Sequence, residues 1–244
     1  IPCRHIPQNV FLGGEILTDL ILYEIKIEEE RINTDPENLW INRAAQSLAE
    51  SLVLAASRIL DIEFNEIRSG FRIRRTNSGV TFVDIYLFDS LTSGAGYSSS
   101  LENRTKELFA ETKQLLNSCP SSCESACHDC LKNYWNQQVH DLLDRFAALQ
   151  LIDWCQKGEV AKDLPMPEQK KLLAPLEELD TRWKIVEKSE QLFLKKDGEE
   201  KLIVVHPAMQ QSKPRSKEEA IYVPDLYLRY ALPLAERKIE EQWR

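Results

Sequence analysis

Four cysteines fall within twelve residues of this chain, spaced as Cys119-x3-Cys123-x3-Cys127-x2-Cys130. Thiolates bind zinc well at about 2.3 Å, and cysteines two or three residues apart converge on one ion where the chain turns tightly. Pro120, Ser121, Ser122 and Ser125 are residues that turns accept. Four thiolates leave no open position, so the expected role of a bound zinc is structural. Disulfides and an iron–sulfur cluster are the other chemistries open to such a set. His128 lies inside the cluster and could stand in as a ligand, but the cysteines already number four. Cys3 and Cys155 stand apart.

Other candidates carry weaker patterns. Gly94-Ala95-Gly96 lies between a strand and a helix. Its N–H groups could hold a phosphate, although such a loop is also the ordinary way to turn a strand into a helix. Asn136, Gln137, His140, Asp141, Asp144 and Arg145 follow the cysteines on an expected helix, where His140 and Asp144 share a face and could pair. Without a nucleophile or metal beside them they read as a structural network, not a catalytic pair. Arg72, Arg74 and Arg75 form a basic stretch on a strand, and Arg72 and Arg74 point the same way, towards a DNA backbone or towards water. Asp84 and Asp89 flank an apolar strand without the Glu-x-Lys of a nuclease core. No G-x-x-x-x-G-K-[ST] occurs, so no phosphate-binding loop for ATP is expected. His206, at a strand end, reads as structural.

Residues 1–15 read as irregular, 16–27 as a strand and 39–60 as a helix with Leu48, Leu52, Ala55, Ala56, Ile59 and Leu60 at helical spacing. Asp35-Pro36 is a turn signal. Residues 71–75 and 80–88 read as two strands joined by a hairpin at Asn77-Ser78-Gly79. Helices are expected over 99–117 and 136–157. Pro165, Pro167 and Pro175 mark 158–182 as a linker with a short helix. Strands near Trp183, Glu190 and Lys201, a polar loop over 207–219 and a helix over 224–243 complete the chain.

A length of 244 residues with 43% hydrophobic and 29% charged residues is a globular composition with enough apolar material for a core. No apolar run approaches the roughly 20 residues that span a bilayer. No signal peptide opens the chain, so a cytoplasmic setting is expected, and the lack of an initiator Met suggests a piece of a longer polypeptide. The net charge of −8 excludes nucleic-acid binding by bulk charge, leaving only a local patch or a neighbouring domain.

In order along the chain, Thr18-Asp19, the strand and loop from Tyr86 to Tyr97, the four cysteines, and the stretch from Tyr134 to Arg145 together resemble the MrfA-type zinc-binding (MZB) domain. That domain closes a group of superfamily 2 DNA helicases and occurs in components of the anti-phage systems DISARM and Druantia. The resemblance covers roughly residues 8–155. Ser93 stands where the family's loop has its first glycine, and Trp135 where the family has Arg. The resemblance implies a non-catalytic accessory role beside a helicase motor or another defence-system subunit, with zinc as cofactor and DNA as partner. The candidate DNA contacts along the chain are Arg72, Arg74, Gly94, Gly96, Asn136, Gln137 and Arg145. A protein-interaction module of a defence complex without DNA binding is the alternative. The expected architecture is mixed α/β: zinc-stapled helices on a small mixed sheet over 1–157, a linker over 158–182 and a small α+β extension over 183–244.

Overall fold

Strand β3 (Thr81–Asp89) is the centre of the first sheet, with β1 (Leu20–Ile27) and β2 (Ile67–Arg75) antiparallel on either side. The computed structural model describes residues 15–35, 37–211 and 220–243. Residues 1–14, Pro36 of the expected turn, and 212–219 of the expected polar loop lie outside them. The β2–β3 hairpin turns at Gly79, whose φ of 81° suits glycine because it lacks a Cβ. Period-two alternation sends Val83, Ile85 and Leu87 inward, where all three are fully buried.

The inner face rests on α1 (Trp40–Leu60). Ala44, Ala45, Leu48, Ala49, Leu52, Ala55 and Ala56 are all fully buried, and Arg43, Ser47 and Ser51 are buried too, so this helix is enclosed nearly all round and forms the hub of the core. Its alanines allow close approach of α3 (Thr105–Asn117) and α4 (Arg145–Lys157). Trp40 Nε1 donates to Gln150 Oε1 at 2.6 Å, and Trp154 Nε1 donates to the Lys26 carbonyl at 2.8 Å, so α4 is pinned to both helix and sheet.

Two helices read from the sequence are broken. Over 99–117 the chain forms a short helix α2 (Tyr97–Ser100), a 3-10 turn (Glu102–Arg104) and then α3. Over 136–157 a 3-10 stretch (Tyr134–Leu142) ends at extended Leu143 and Asp144, and α4 starts only at Arg145. The apolar spacing continues across this break, but Asp144 caps the new helix by accepting from the N–H groups of Phe146 and Ala147 at 2.9 and 3.1 Å. A cap residue takes extended backbone, so it starts a helix and cannot sit inside one.

The second sheet is mixed, in the order β4 (Lys184–Lys188), β5 (Gln191–Lys196), β6 (Glu199–His206), β7 (Ile221–Pro224), with β7 parallel to β6. Turns at Ser189-Glu190 and Asp197-Gly198, all with positive φ, match the twist of tight hairpins. Residues 158–182 contain α5 (Met166–Leu179), whose Leu173 and Leu176 are fully buried with Trp183, Leu194 and Val223 in a second core. The helix expected over 224–243 is two, α6 (Asp225–Tyr230) and α7 (Leu232–Trp243). Pro233 lacks an N–H and crowds the carbonyl of residue 229, which breaks a continuous helix. Ala208, Met209 and Leu226 pack in the first core, and Ile32 bridges Gln210, so the two cores share a seam.

Candidate metal centre and the polar latches around it

The cysteine loop leaves α3 at Ser118 and turns through Ser122, whose φ is 46°. The carbonyl of Cys127 accepts from the N–H groups of Cys130, Leu131 and Lys132 at 3.2, 3.1 and 2.9 Å, which folds residues 127–132 into a tight knuckle. The four sulfurs all lie within 4.8 Å of one another. Four of their separations are 3.6 Å (Cys119–Cys123), 3.5 Å (Cys119–Cys127), 3.7 Å (Cys123–Cys130) and 3.8 Å (Cys127–Cys130). A tetrahedron with zinc–sulfur bonds of about 2.3 Å has an edge of about 3.8 Å. The donor set therefore fits zinc in both chemistry and size. A disulfide needs sulfurs about 2 Å apart, which none of these four distances approaches.

The thiols differ in environment. The backbone N–H of Cys123 pulls Cys119 down to about 6, against a smaller effect of burial. Burial pushes Cys130 well above the ordinary thiol value, although the Cys127 N–H donates to its sulfur at 3.2 Å. A dication supplies the charge that lets four such thiolates coexist, so metal binding releases protons here. His128 is exposed and outside the sulfur cluster; its ring meets that of His140 edge-on at 5.5 Å.

Arg145 clamps the loop from behind. Its Nε and Nη2 donate to the Cys123 carbonyl at 3.1 and 3.0 Å, and Nη1 donates to the Leu116 carbonyl at 2.9 Å. One side chain thus ties the end of α3, the metal loop and the start of α4. Asn136, 2% exposed, donates to Leu131 O at 2.9 Å and to Glu50 Oε2 at 3.1 Å, and its Oδ1 accepts from the Asn133 N–H at 2.9 Å. Both residues, expected as DNA contacts, are buried and serve the knuckle. Gln137 is exposed. The expected His140–Asp144 pair does not form. His140 Nε2 meets Asn136 Oδ1 at 2.9 Å, whereas Asp144 accepts from Tyr230 Oη at 2.9 Å.

The Ser93–Tyr97 loop does hold an anion, but the anion is the chain's own. Asp89 accepts from the N–H groups of Ala95, Tyr97 and Ser98 at 2.7, 3.1 and 2.8 Å and from Ser98 Oγ at 2.6 Å. Asp19 Oδ2 accepts from the Gly96 N–H at 3.1 Å. A Cβ on Gly94 would lie 2.2 Å from Asp19 Oδ2, so this close approach requires glycine. The N–H groups that could have met a phosphate are taken: those of Ala95 and Gly96 by carboxylates and that of Gly94 by the Leu91 carbonyl at 3.0 Å, so the loop serves as the strand-to-helix turn. Burial raises Asp89, but its donors outweigh that and hold it below the usual carboxylate value. Asp89, considered from its sequence only as one of a carboxylate pair that lacks the rest of a nuclease core, is instead the centre of this latch. An acidic residue closing a strand just before a run of small residues was the available signal. Among the described residues, no hydrogen bond joins 93–97 to 136–145.

Asp84 is fully buried on the opposite face of β3 from Asp89, so the two carboxylates cannot share a metal. Arg72 and Arg74 both donate through Nε to Asp84 Oδ2, at 2.8 and 2.6 Å. Burial raises Asp84, and the two guanidiniums override it and keep the carboxyl below its usual value.

Comparison with known proteins agrees with the geometry. Residues 48–131 match the family model of the MrfA Zn-binding domain, MZB. The chain is 33% identical over 186 residues to Druantia protein DruE of Escherichia coli (strain UMEA 4076-1), covering 72% of this chain and 10% of that protein. It thus spans about a tenth of that relative. Two crystal structures of the DUF1998 helicase MrfA, bound to DNA and bound to DNA and AMPPNP, align with TM-scores of 0.40 and 0.32 at 20% and 19% identity, covering 55% and 54% of this chain and 16% and 15% of those chains. No helix among the described residues is long and apolar enough to cross a membrane. The match to the MrfA Zn-binding domain, MZB, thus spans residues 48–131, a stretch that holds all four cysteines, and the wider chain is similar to part of Druantia protein DruE.

Proposed function

We propose that Cys119, Cys123, Cys127 and Cys130 together hold one structural zinc, and that this segment is a non-catalytic accessory unit of a helicase-related defence protein that helps it engage DNA. The observation that carries the reading is the closed sulfur tetrahedron, backed by Arg145, which leaves no position for a substrate or a water nucleophile. The zinc stiffens the junction between α3 and α4 and, through Asn136 and Glu50, the middle of α1. On this reading residues 1–157 form the zinc unit, 183–244 a small α+β extension seated on it, and the motor domains or another defence subunit lie elsewhere in the parent protein. DNA engagement rests on the arginines of β2, the concentrated basic stretch of an otherwise acidic chain.

The test is elemental analysis of the purified 244-residue chain together with DNA binding measured across a salt series. One zinc per chain, and affinity that falls steeply with salt, support the reading. Zinc without any DNA affinity would leave a protein-interaction module instead. Iron, or no metal, would overturn the metal assignment.

A further inference from the structure

The first sheet has one face on α1 and another that no element covers among the described residues. Strand register sets its rungs as Leu20–Phe88–Arg68, Leu22–Tyr86–Gly70, Glu24–Asp84–Arg72 and Lys26–Phe82–Arg74. Phe82, Tyr86 and Phe88 are only half-buried and belong to neither core. A Cβ on Gly70 would lie 2.5 Å from the Tyr86 ring, so the ring is seated against bare backbone. The Tyr86 and Phe88 rings are 6.2 Å apart and tilted by 34°. Beyond Phe88 the face opens into a cavity of about 360 Å³ lined by Phe64, Arg68, Asn133, Trp135 and Gln138 among others. Trp135 is 54% exposed and Phe64 43%.

The charges on this face oppose the charge of the whole molecule. Lys26, Arg68, Arg72 and Arg74 outnumber Glu24 and Asp84 on these rungs, in a chain of net charge −8. The Arg68 side chain makes no hydrogen bond or ion pair among the described residues. Asp84 orients Arg72, whose side chain is still 63% exposed. Rings beside guanidiniums and amides suit a ligand that is flat, apolar on its faces, polar at its edges and anionic along its length. An unpaired nucleic-acid strand has that chemistry: its bases stack on aromatic rings and its phosphates meet arginine. A duplex hides its base faces and offers these rings nothing to stack on. An apolar protein surface would strip water from several cations without pairing them.

We propose that single-stranded DNA lies across the outer face of β1-β3-β2, with bases on Tyr86, Phe88 and Trp135 and phosphates on Arg68 and Arg72. This rests on the reading that the chain engages DNA, and names the surface and the form of DNA. Fluorescence anisotropy of the zinc-loaded 244-residue chain with labelled single-stranded and duplex oligonucleotides tests it. Single strands are expected to bind more tightly. Phe88→Ala, Trp135→Ala and Tyr86→Ala should each weaken them about tenfold, in line with the stacking energy of one base. Tyr86→Phe keeps the ring and should bind as the parent does. Arg68→Ala should reduce the slope of log affinity against log salt by about 0.7, one phosphate's worth. Zinc content and melting temperature establish that each variant is folded. Equal binding of duplex, or single-strand binding that folded Phe88→Ala and Trp135→Ala leave unchanged, would overturn this surface while DNA engagement stood. No binding of either DNA form would overturn both. Self-association lost in the same variants, without DNA binding, would assign the face to protein.

Discussion

Asp89 in the first sheet and Asp225 beside the second are both buried carboxylates, and their environments drive them in opposite directions. Asp89 collects three backbone N–H groups and a hydroxyl within 3.1 Å and stays ionised below the usual range. Asp225 accepts from the Ala208 N–H at 2.7 Å, with Arg229 no nearer than 3.8 Å, and burial pushes it up to about 6. Burial alone does not decide the charge of a carboxylate; the number of donors aimed at it does. The same contrast runs through the two regions. The first closes its loops with polar latches and a metal loop, whereas the second relies on apolar packing such as Trp183 against Trp243, ring centroids 5.1 Å apart.

The largest test of that contrast removes the metal. Cys130→Ser, or a chelator, should abolish zinc binding and unfold the region around α3 and α4, because a structural site contributes its binding energy, about 10 kcal/mol or more, to folding. Hydrogen exchange should show protection lost over 105–157 while β4, β5 and β6 keep theirs. Simultaneous loss over both would break the contrast. Next in size is Asp89→Asn. Its NH2 would face N–H donors, costing about 3 kcal/mol by denaturant titration at neutral pH. The stability that the Asp89 carboxylate contributes is present above the usual carboxylate pKa and is lost as pH falls through its lower folded value, so the cost should shrink in acid.

Asp225 should behave the opposite way. Its folded value lies above its unfolded one, so its contribution is full below about pH 4 and disappears as pH rises through about 6. Asp225→Asn keeps an acceptor for Ala208 and should remove on the order of 3 kcal/mol of pH dependence across that window. A variant with the parent's stability-against-pH curve would sink the assignment. The smallest effect is expected at the seam. Tyr230 Oη donates to Asp144, and the Arg43 guanidinium stacks on the Tyr230 ring at 3.8 Å. Tyr230→Phe keeps the stack and loses the hydrogen bond, for about 1 kcal/mol in thermal unfolding. A cost several times larger would mean that the two cores unfold as one.

Much of the centre was legible because its chemistry is local. Four cysteines in twelve residues can reach one point whatever the rest of the chain does, and the alternation of β3 and the apolar run of α1 are short-range patterns. The broken helix before α4 was not legible: Val139, Leu142, Leu143, Phe146 and Leu149 keep helical spacing across it, and only the capping of α4 by Asp144 ends the run. Arg145 and Asn136 looked like surface groups for DNA because a polar residue on an amphipathic stretch usually faces water. Their burial follows from where α3 and α1 happen to pass.

What the sequence determined by itself was the metal chemistry, the principal strands, α1 and the mixed α/β class, since each depends on residues close together along the chain. What only the tertiary structure decided was which polar groups are already taken. Asp89 fills the loop that could have held a phosphate, Arg145, named from its sequence as a DNA contact, closes the metal loop, and Met209 from the later part of the chain packs in the first core. The partners of Arg145 lie 22 and 29 residues away along the chain, where no local pattern can point.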